Sequence, residues 1–217
     1  QRNIAAFYTH GKGVEQDYAQ ALKWLRLAAD QNNATAQNDL AIMYHQGRGV
    51  EQDYGEAARW YRKAAEQGLA DSRNNLGVLY RDGNGVARDD QEAVRWFKKA
   101  AEQGVALAQC NLGDAFFYGK GIQQDYSQAL KWYHKAAKQG NASAQHQIGY
   151  MASEGLGVRR NLRTAHGWYK LAAEQGLADA QVNLGIMYAE GLGVPKDRAT
   201  ALTWLLKAAE QGSEYAK

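Results

Sequence analysis

Proline is nearly missing from this chain: one residue in 217, against 23 glycines. Irregular, loop-rich proteins use both residues freely, so glycines without prolines must serve fixed turn positions. The single cysteine, Cys110, excludes an internal disulfide scaffold and leaves the redox compartment open. No run of eighteen apolar residues occurs, which excludes a transmembrane helix and membrane insertion by that route. Charge of one sign is lacking too. The 26 basic side chains nearly cancel 23 acidic ones, and a net charge of +3 gives little pull on a polyanion. No basic–apolar–small leader opens the sequence, which starts at Gln1 and so leaves earlier processing open. What is present suffices for a packed core: 45% hydrophobic and 23% charged residues exclude disorder, and six tryptophans are a high count.

Those tryptophans stand at positions 24, 60, 96, 132, 168 and 204, every gap being 36 residues. The same shift carries Gly11 onto Gly47, Gly83, Gly119, Gly155 and Gly191, and Gly13 onto a second series ending at Gly193. Alanines keep step as well, from Ala21 to Ala201 and from Ala28-Ala29 to Ala208-Ala209. Six periods account for 216 residues, with no linker or low-complexity segment between them. A fixed period of this length is the mark of a repeat architecture, so the whole of 1–217 reads as one array of six units.

Each period predicts two helices. Asp53 can cap the first turn of a helix through its carboxylate, and Asp17, Asp89, Asp125 and Asp197 hold the same place, with Asn161 substituting once. Ala57, Trp60, Tyr61, Ala64 and Ala65 then fall on one helical stripe. Gln67-Gly68 ends that helix, the glycine supplying the left-handed residue. The next stripe runs Leu76, Gly77, Tyr80 and stops at Gly83-x-Gly85. Small residues at 64, 65 and 77 let the axes approach, with Trp60 and Tyr80 expected to fill the wedge. A helix pair of this size cannot bury both faces alone and must stack.

The pattern Ala36-x3-Leu40-Ala41-x2-Tyr44-x2-Gly47-x-Gly49-Val50-x2-Asp53-x3-Ala57-x2-Trp60-Tyr61-x-Lys63-Ala64-Ala65-x-Gln67-Gly68 closely resembles the Sel-one-like repeat (SLR), a relative of the tetratricopeptide repeat. The resemblance covers the chain six times over. It implies an all-α, right-handed α/α superhelical solenoid whose first helices line a concave side. It further implies a scaffold or adaptor that binds a protein or peptide, without catalysis or cofactor, in a bacterial envelope or secreted setting more than in the cytoplasm. Cysteine-rich members bridge each repeat with a disulfide; this chain belongs to the plain type. Another class remains as the alternative, a cell-wall-active hydrolase or glycan-binding module.

Chemistry-bearing motifs are sparse. A dinucleotide fingerprint needs a third glycine and a preceding strand, whereas here the sixth position is Gln16, Gln52, Arg88, Gln124, Arg160 or Lys196 and a helix precedes the turn. Soft metal ligands are His10, His45, His134, His146, His166 and Cys110, without the spacing of a metal site. None of the serines lies in Gly-x-Ser-x-Gly or has Lys three residues on. The Asp series is committed to helix caps, and no isolated acid pair stands out. Lys23, Arg59, Arg95 and Lys131, with Arg26, Arg62, Lys98, His134 and Lys170, make a basic ridge on the second helices. Acidic neighbours and the absence of interleaved exposed aromatics favour a solvated outer face over a nucleic-acid surface.

Variation between repeats is where a partner can be selected. Treating the first helices as the concave side places Asn74, Val78 and Arg81 there, then Cys110, Asp114, Phe117 and Tyr118, then His146, Tyr150 and Glu154, and finally Ile186. Phe117, Tyr118 and Tyr150 are the aromatic part, with Asp114 and His146 near them. These rings either face a partner or pack between adjacent helices. The fourth and fifth units are also the least regular, with Ala152 where others carry Tyr or Phe, Asn161 as the cap, and Gly167 inside a helix. Two structural expectations follow. Trp96 should be deeply buried with its indole N–H bonded. The chain should begin inside a first helix and open another at Ser213–Lys217 without capping helices, as a segment of a longer array or one whose ends pair with another copy.

Overall fold

A computed structural model describes residues 1–213. Among the described residues there are twelve α-helices and no strands: α1 (Arg2–His10), α2 (Tyr18–Asp30), α3 (Ala34–Gln46), α4 (Tyr54–Glu66), α5 (Ala70–Asp82), α6 (Asp90–Glu102), α7 (Ala106–Tyr118), α8 (Tyr126–Lys138), α9 (Ala142–Glu154), α10 (Leu162–Glu174), α11 (Ala178–Glu190) and α12 (Arg198–Glu210). Odd-numbered helices are the first of each pair, even-numbered the second. The chain divides into two compact units after Ala108. The helix expected to open at Ser213–Lys217 falls on residues 214–217, outside the described residues.

Local chemistry sets the start of every second helix. Asp17, Asp53, Asp89, Asp125, Asn161 and Asp197 each accept from a backbone N–H in the first turn of the following helix. Such a cap contributes about 1 kcal/mol. The first glycine of each turn closes the preceding helix in the left-handed region, Gly47 at φ +66 and Gly155 at φ +76 for example. In the first repeat Asn32 takes that left-handed role after the second helix, at φ +64, where later repeats use Gly. The second glycine of the turn answers a different need. A Cβ on Gly85 would lie 2.1 Å from the backbone carbon of Tyr54, and one on Gly193 would lie 2.6 Å from that of Leu162. At Gly49, Gly85, Gly157 and Gly193 this glycine therefore seats the turn on the start of the second helix one repeat earlier.

Packing within a pair differs from the expected wedge. The first-helix glycines are pressed against the residue that follows Trp, a ring in three cases and Leu205 opposite Gly185, not against Trp itself. A Cβ on Gly77 would meet Phe97 at 2.7 Å, on Gly113 Tyr133 at 2.6 Å, and on Gly149 Tyr169 at 2.8 Å. The tryptophans lie farther out. Trp60 and Trp96 are buried, while Trp24, Trp132, Trp168 and Trp204 are half-buried. Lysine ammoniums cover several of the rings from solvent, Lys135 over Trp132 at 3.7 Å and Lys63 over Trp60 at 4.0 Å. Trp60 donates its indole N–H to Glu56 at 3.1 Å. Trp96 is 7% exposed as expected, but its indole nitrogen has no partner, which corrects the bonded N–H.

Buried glutamines tie the repeats together. Gln67 donates to Gln37 at 2.7 Å, and Gln37 donates in turn to the Ala29 carbonyl at 3.1 Å, linking α4 and α3 to the end of α2. The same relay joins Gln175 to Gln145 at 2.7 Å and Gln145 to the Ala137 carbonyl at 3.4 Å. In the third repeat Arg73 replaces the glutamine and donates to the Ala65 carbonyl at 3.0 Å. Each relay brings a side-chain donor of the next repeat onto a helix-end carbonyl that already accepts a backbone N–H of its own closing turn.

Candidate functional site

The first helices give one face to the core and one to solvent, and the register of the variable residues decides which they reach. Asn38 and His146, which share a repeat position with Asn74, Cys110 and Val182, lie in seams between successive first helices of their own unit. Ser72 donates to Asn38 at 2.8 Å across one seam, and Asn183 pairs with His146 at 2.9 Å across a later one. Asn74 and Cys110 are buried. Burial, helped by Asp114, pushes the Cys110 thiol up to about 12, so it packs as a small apolar group and is no nucleophile. His146 is half-buried against the Tyr169 ring at 5.4 Å, and burial lowers its pKa while Asp179 pulls it back up.

Phe117 is buried as well, at 8% exposure. It lies 5.3 Å from Tyr126 of its own repeat, 4.8 Å from Tyr118 and 6.1 Å from Tyr150, all centroid to centroid. The aromatic group divides by exposure. Phe117 packs; Tyr118 and Tyr150 rest on it and reach solvent, at 55% and 39% exposure. The edge-to-face contacts with Phe117 restrict the two exposed rings.

The exposed rings alternate with carboxylates. Asp114 and Tyr118 are four residues apart on α7, Tyr150 and Glu154 four apart on α9, so each pair is one turn apart on a single helix face. Asp114 accepts from the buried Tyr133 hydroxyl at 2.6 Å. That hydroxyl is held far above its ordinary pKa by burial first, with Asp114 and Tyr118 adding to it. One repeat on, burial likewise raises Tyr169, opposed by its bond to Ser153 and reinforced by Glu154 and Tyr150. Each exposed ring thus shares a buried tyrosine with the carboxylate beside it. Ile186 and Glu190 continue the same two positions on α11, both exposed.

In the unit Gln1–Ala108 the corresponding face is different. Val78 and Arg81 are half-buried. Arg81 pairs with Asp82 at 2.7 Å, and Arg2 pairs with Asp39 at 2.8 Å across α1 and α3. A cleft of about 220 Å³ beneath the latter pair is lined by Thr9, His10, Ile42 and Gln46 among others. Among the described residues no three of His, Cys, Asp and Glu gather as a metal site, and no helix is long and apolar enough to cross a membrane. The basic ridge lies on the exposed side of the second helices, where Arg59 pairs with Glu56 at 2.9 Å and Arg95 with Glu92 at 3.0 Å.

Two further signals in the sequence become meaningful only beside the packing. The glutamine series at 37, 109, 145 and 181 recurs every 36 residues except for Arg73, as a buried structural polar group must. The large apolar residue after each tryptophan, a ring in the four central repeats and Leu25 or Leu205 in the outer two, recurs opposite a small residue in the same way.

The Sel1 repeat model matches six times, at residues 1–33, 34–69, 70–105, 106–141, 142–177 and 178–213. The chain is similar to a protective antigen of uropathogenic Escherichia coli with an SLR fold, at 43% identity and a TM-score of 0.93 over 99% of this chain and 46% of that one. This chain thus spans less than half of that relative's length. A Sel1 repeat protein from Oxalobacter formigenes shares 37% identity with a TM-score of 0.91, covering 99% of this chain and 84% of that one. An immunity protein from Pseudomonas aeruginosa, at 18% identity and a TM-score of 0.62 over 100% of this chain and 85% of that one, shares the fold alone. None of the curated proteins matches. Six consecutive matches laid on six helix pairs, each pair joined by the same two glycines, place the chain in the Sel1 repeat family.

Proposed function

We propose that this chain is a non-catalytic adaptor that binds a protein or peptide on the exposed, concave face of its first helices, centred on α7 and α9. Sel1 repeat proteins generally mediate protein–protein interaction and are typically without enzymatic activity. The observation that carries the finer reading is the pair of exposed tyrosines, Tyr118 and Tyr150, braced on buried Phe117. Large rings held rigid at a surface have the character of interface anchors, which supply most of the affinity from few residues. The second-helix face, by contrast, carries arginines already paired to glutamates of the same helix, and such exposed pairs contribute little.

The test is capture of partners from extract by cross-linking, followed by affinity measurement with a purified partner. Tyr150→Ala should weaken binding by about 2 kcal/mol or more, while Arg95→Ala changes it little. Circular dichroism first establishes that both variants fold. Loss of binding in the Arg95 variant with retention in the Tyr150 variant would place the interface on the opposite face.

A further inference from the structure

The turn between α5 and α6 carries a dipeptide found nowhere else in the chain. Asn84 is followed by Gly85, whereas every other asparagine is followed by Ile, Asn, Ala, Asp or Leu. In the five equivalent turns the same position holds Lys12, Arg48, Lys120, Leu156 or Leu192. Asn84 and Gly85 are both exposed. Glycine has no Cβ to shield its own nitrogen, so the Gly85 nitrogen can reach the side-chain carbonyl carbon of Asn84 and close a five-membered ring. Hydrogen bonding sorts the two glycines of the turn. The N–H groups of Gly83 and Asn84 both donate to the Leu79 carbonyl, at 2.9 and 3.1 Å, whereas that of Gly85 donates to no backbone carbonyl among the described residues. Asp82 before Gly83 differs on both counts, its carboxylate held by Arg81 at 2.7 Å and the Gly83 nitrogen engaged. The Gly85 nitrogen is the one left to react.

The same turn has no room for extra backbone. A Cβ on Gly85 would overlap the backbone of Tyr54 and Gly55 at the start of α4, so the turn already sits in closest contact there. Upstream, the two bonds to Leu79 anchor it. Downstream, Val86 packs against the core of the first unit, and the Asp89 N–H donates to the Tyr80 carbonyl at 3.0 Å. One more main-chain atom between residues 84 and 85 must therefore displace Gly85 from α4 or Val86 from the core.

We infer that Asn84-Gly85 is a site of spontaneous deamidation, and that its isoaspartyl product lifts the turn off the start of α4. The Gly85 nitrogen gives its proton to water or hydroxide and attacks the Asn84 Cγ. The new C–N bond forms, the Cγ–Nδ2 bond breaks, and ammonia departs with a proton from solvent. Water then opens the succinimide. Attack at Cγ leaves an aspartyl residue with the native main chain. Attack at the former backbone carbonyl carbon of residue 84 leaves an isoaspartyl residue, whose main chain is longer by one carbon. No oxidant or reductant takes part: amide plus water becomes carboxylate plus ammonium. The reaction lies in the Gln1–Ala108 unit and does not depend on where a partner binds.

The test holds purified protein at mildly alkaline pH, samples it over days and digests it with trypsin in heavy-oxygen water, which marks any change that occurs during digestion. Cleavage after Arg81 and Arg88 releases residues 82–88, so the mass gain from amide to acid reports on Asn84 alone. That peptide should change roughly tenfold faster, or more, than any other asparagine-bearing peptide. Part of the product should be a substrate for isoaspartyl methyltransferase. The isoaspartyl fraction, separated by ion exchange, should unfold at a midpoint lower by about 4 °C or more. Asn84→Gln should abolish both changes, since its ring would need six members. Asn84→Asp should unfold with the fresh parent, because it adds the charge without lengthening the main chain. A residue 82–88 peptide that stays unmodified, or changes no faster than the others, overturns the site. Isoaspartate formed without a lower midpoint, or a fresh Asn84→Asp that unfolds as early as the isoaspartyl fraction, overturns the unseating of the turn.

Discussion

Two halves of one scaffold show different faces to solvent. In Gln1–Ala108 the exposed side of the first helices is electrically balanced and partly closed by its own ion pairs, Arg2 with Asp39 and Arg81 with Asp82. In Gln109–Lys217 the equivalent helices carry only acidic charge, and two tyrosines stand on a buried phenylalanine. Caps, turn glycines and glutamine relays are common to both. The difference lies in first-helix residues that vary from repeat to repeat. A repeat frame fixes the backbone and the seams, which frees the outward positions to be chosen for a partner, unit by unit.

This comparison requires the scaffold to respond alike in both halves and the outward face to respond in one. The largest effect expected is on the scaffold. Trp96→Ala removes a large buried ring and should cost about 3–5 kcal/mol in chemical denaturation, with melting first in neighbouring repeats. Replacement by Phe separates packing from hydrogen bonding. Trp60→Phe should cost about 1 kcal/mol more than Trp96→Phe, because only Trp60 loses a bond to Glu56. Equal costs would mean that the Glu56 bond contributes nothing.

Next in size is the turn. Gly85→Ala combines a left-handed φ of +69 with a Cβ 2.1 Å from the Tyr54 backbone carbon, and should cost about 3 kcal/mol. Gly157→Ala has the same φ problem, at +68, but its nearest contact is 2.9 Å, so its cost should be smaller. The reverse order would show that the turn's own conformation, rather than its seating on the previous helix, sets the penalty.

The smallest effect is on pH. Burial lowers the pKa of His134, His146 and His166, all in the second half, with Lys138 and Lys170 adding to the first and last and Asp179 opposing at His146. A histidine whose pKa is lower when folded binds its proton better in the unfolded chain. Its contribution to stability is therefore complete above the ordinary value near 6.5 and declines as pH falls below it toward the folded value. Denaturation midpoints should drop between about pH 7.5 and about pH 5.5, a window that brackets the ordinary histidine value. His146→Gln, which retains a partner for Asn183, should flatten that drop.

How much of this the sequence discloses follows from what repeats in it. Helix boundaries, caps and both turn glycines recur with the fold and are legible from the 36-residue period alone. The role of the residue after each tryptophan is not, because Trp96 and Phe97 share one apolar stripe and only packing tells which of them presses on Gly77. The site is half legible. Tyr118, Tyr150, Asp114 and Glu154 lie on the first-helix face away from the core, while Asn74, Cys110 and Phe117 are turned into the seam or the pair by a fraction of a helical turn. A rotation that small is set by how each first helix packs on its neighbours, which periodicity does not encode.

The central claim is that the second half's first-helix face holds the partner. Tyr150 and Val78 occupy the same repeat position, one in each half. The affinity of a purified partner for Tyr150→Ala and for Val78→Ala tests the claim most directly. A loss of about 2 kcal/mol or more at Tyr150, with a change within about 0.5 kcal/mol at Val78, is the predicted result. A loss at Val78 with none at Tyr150 would contradict it.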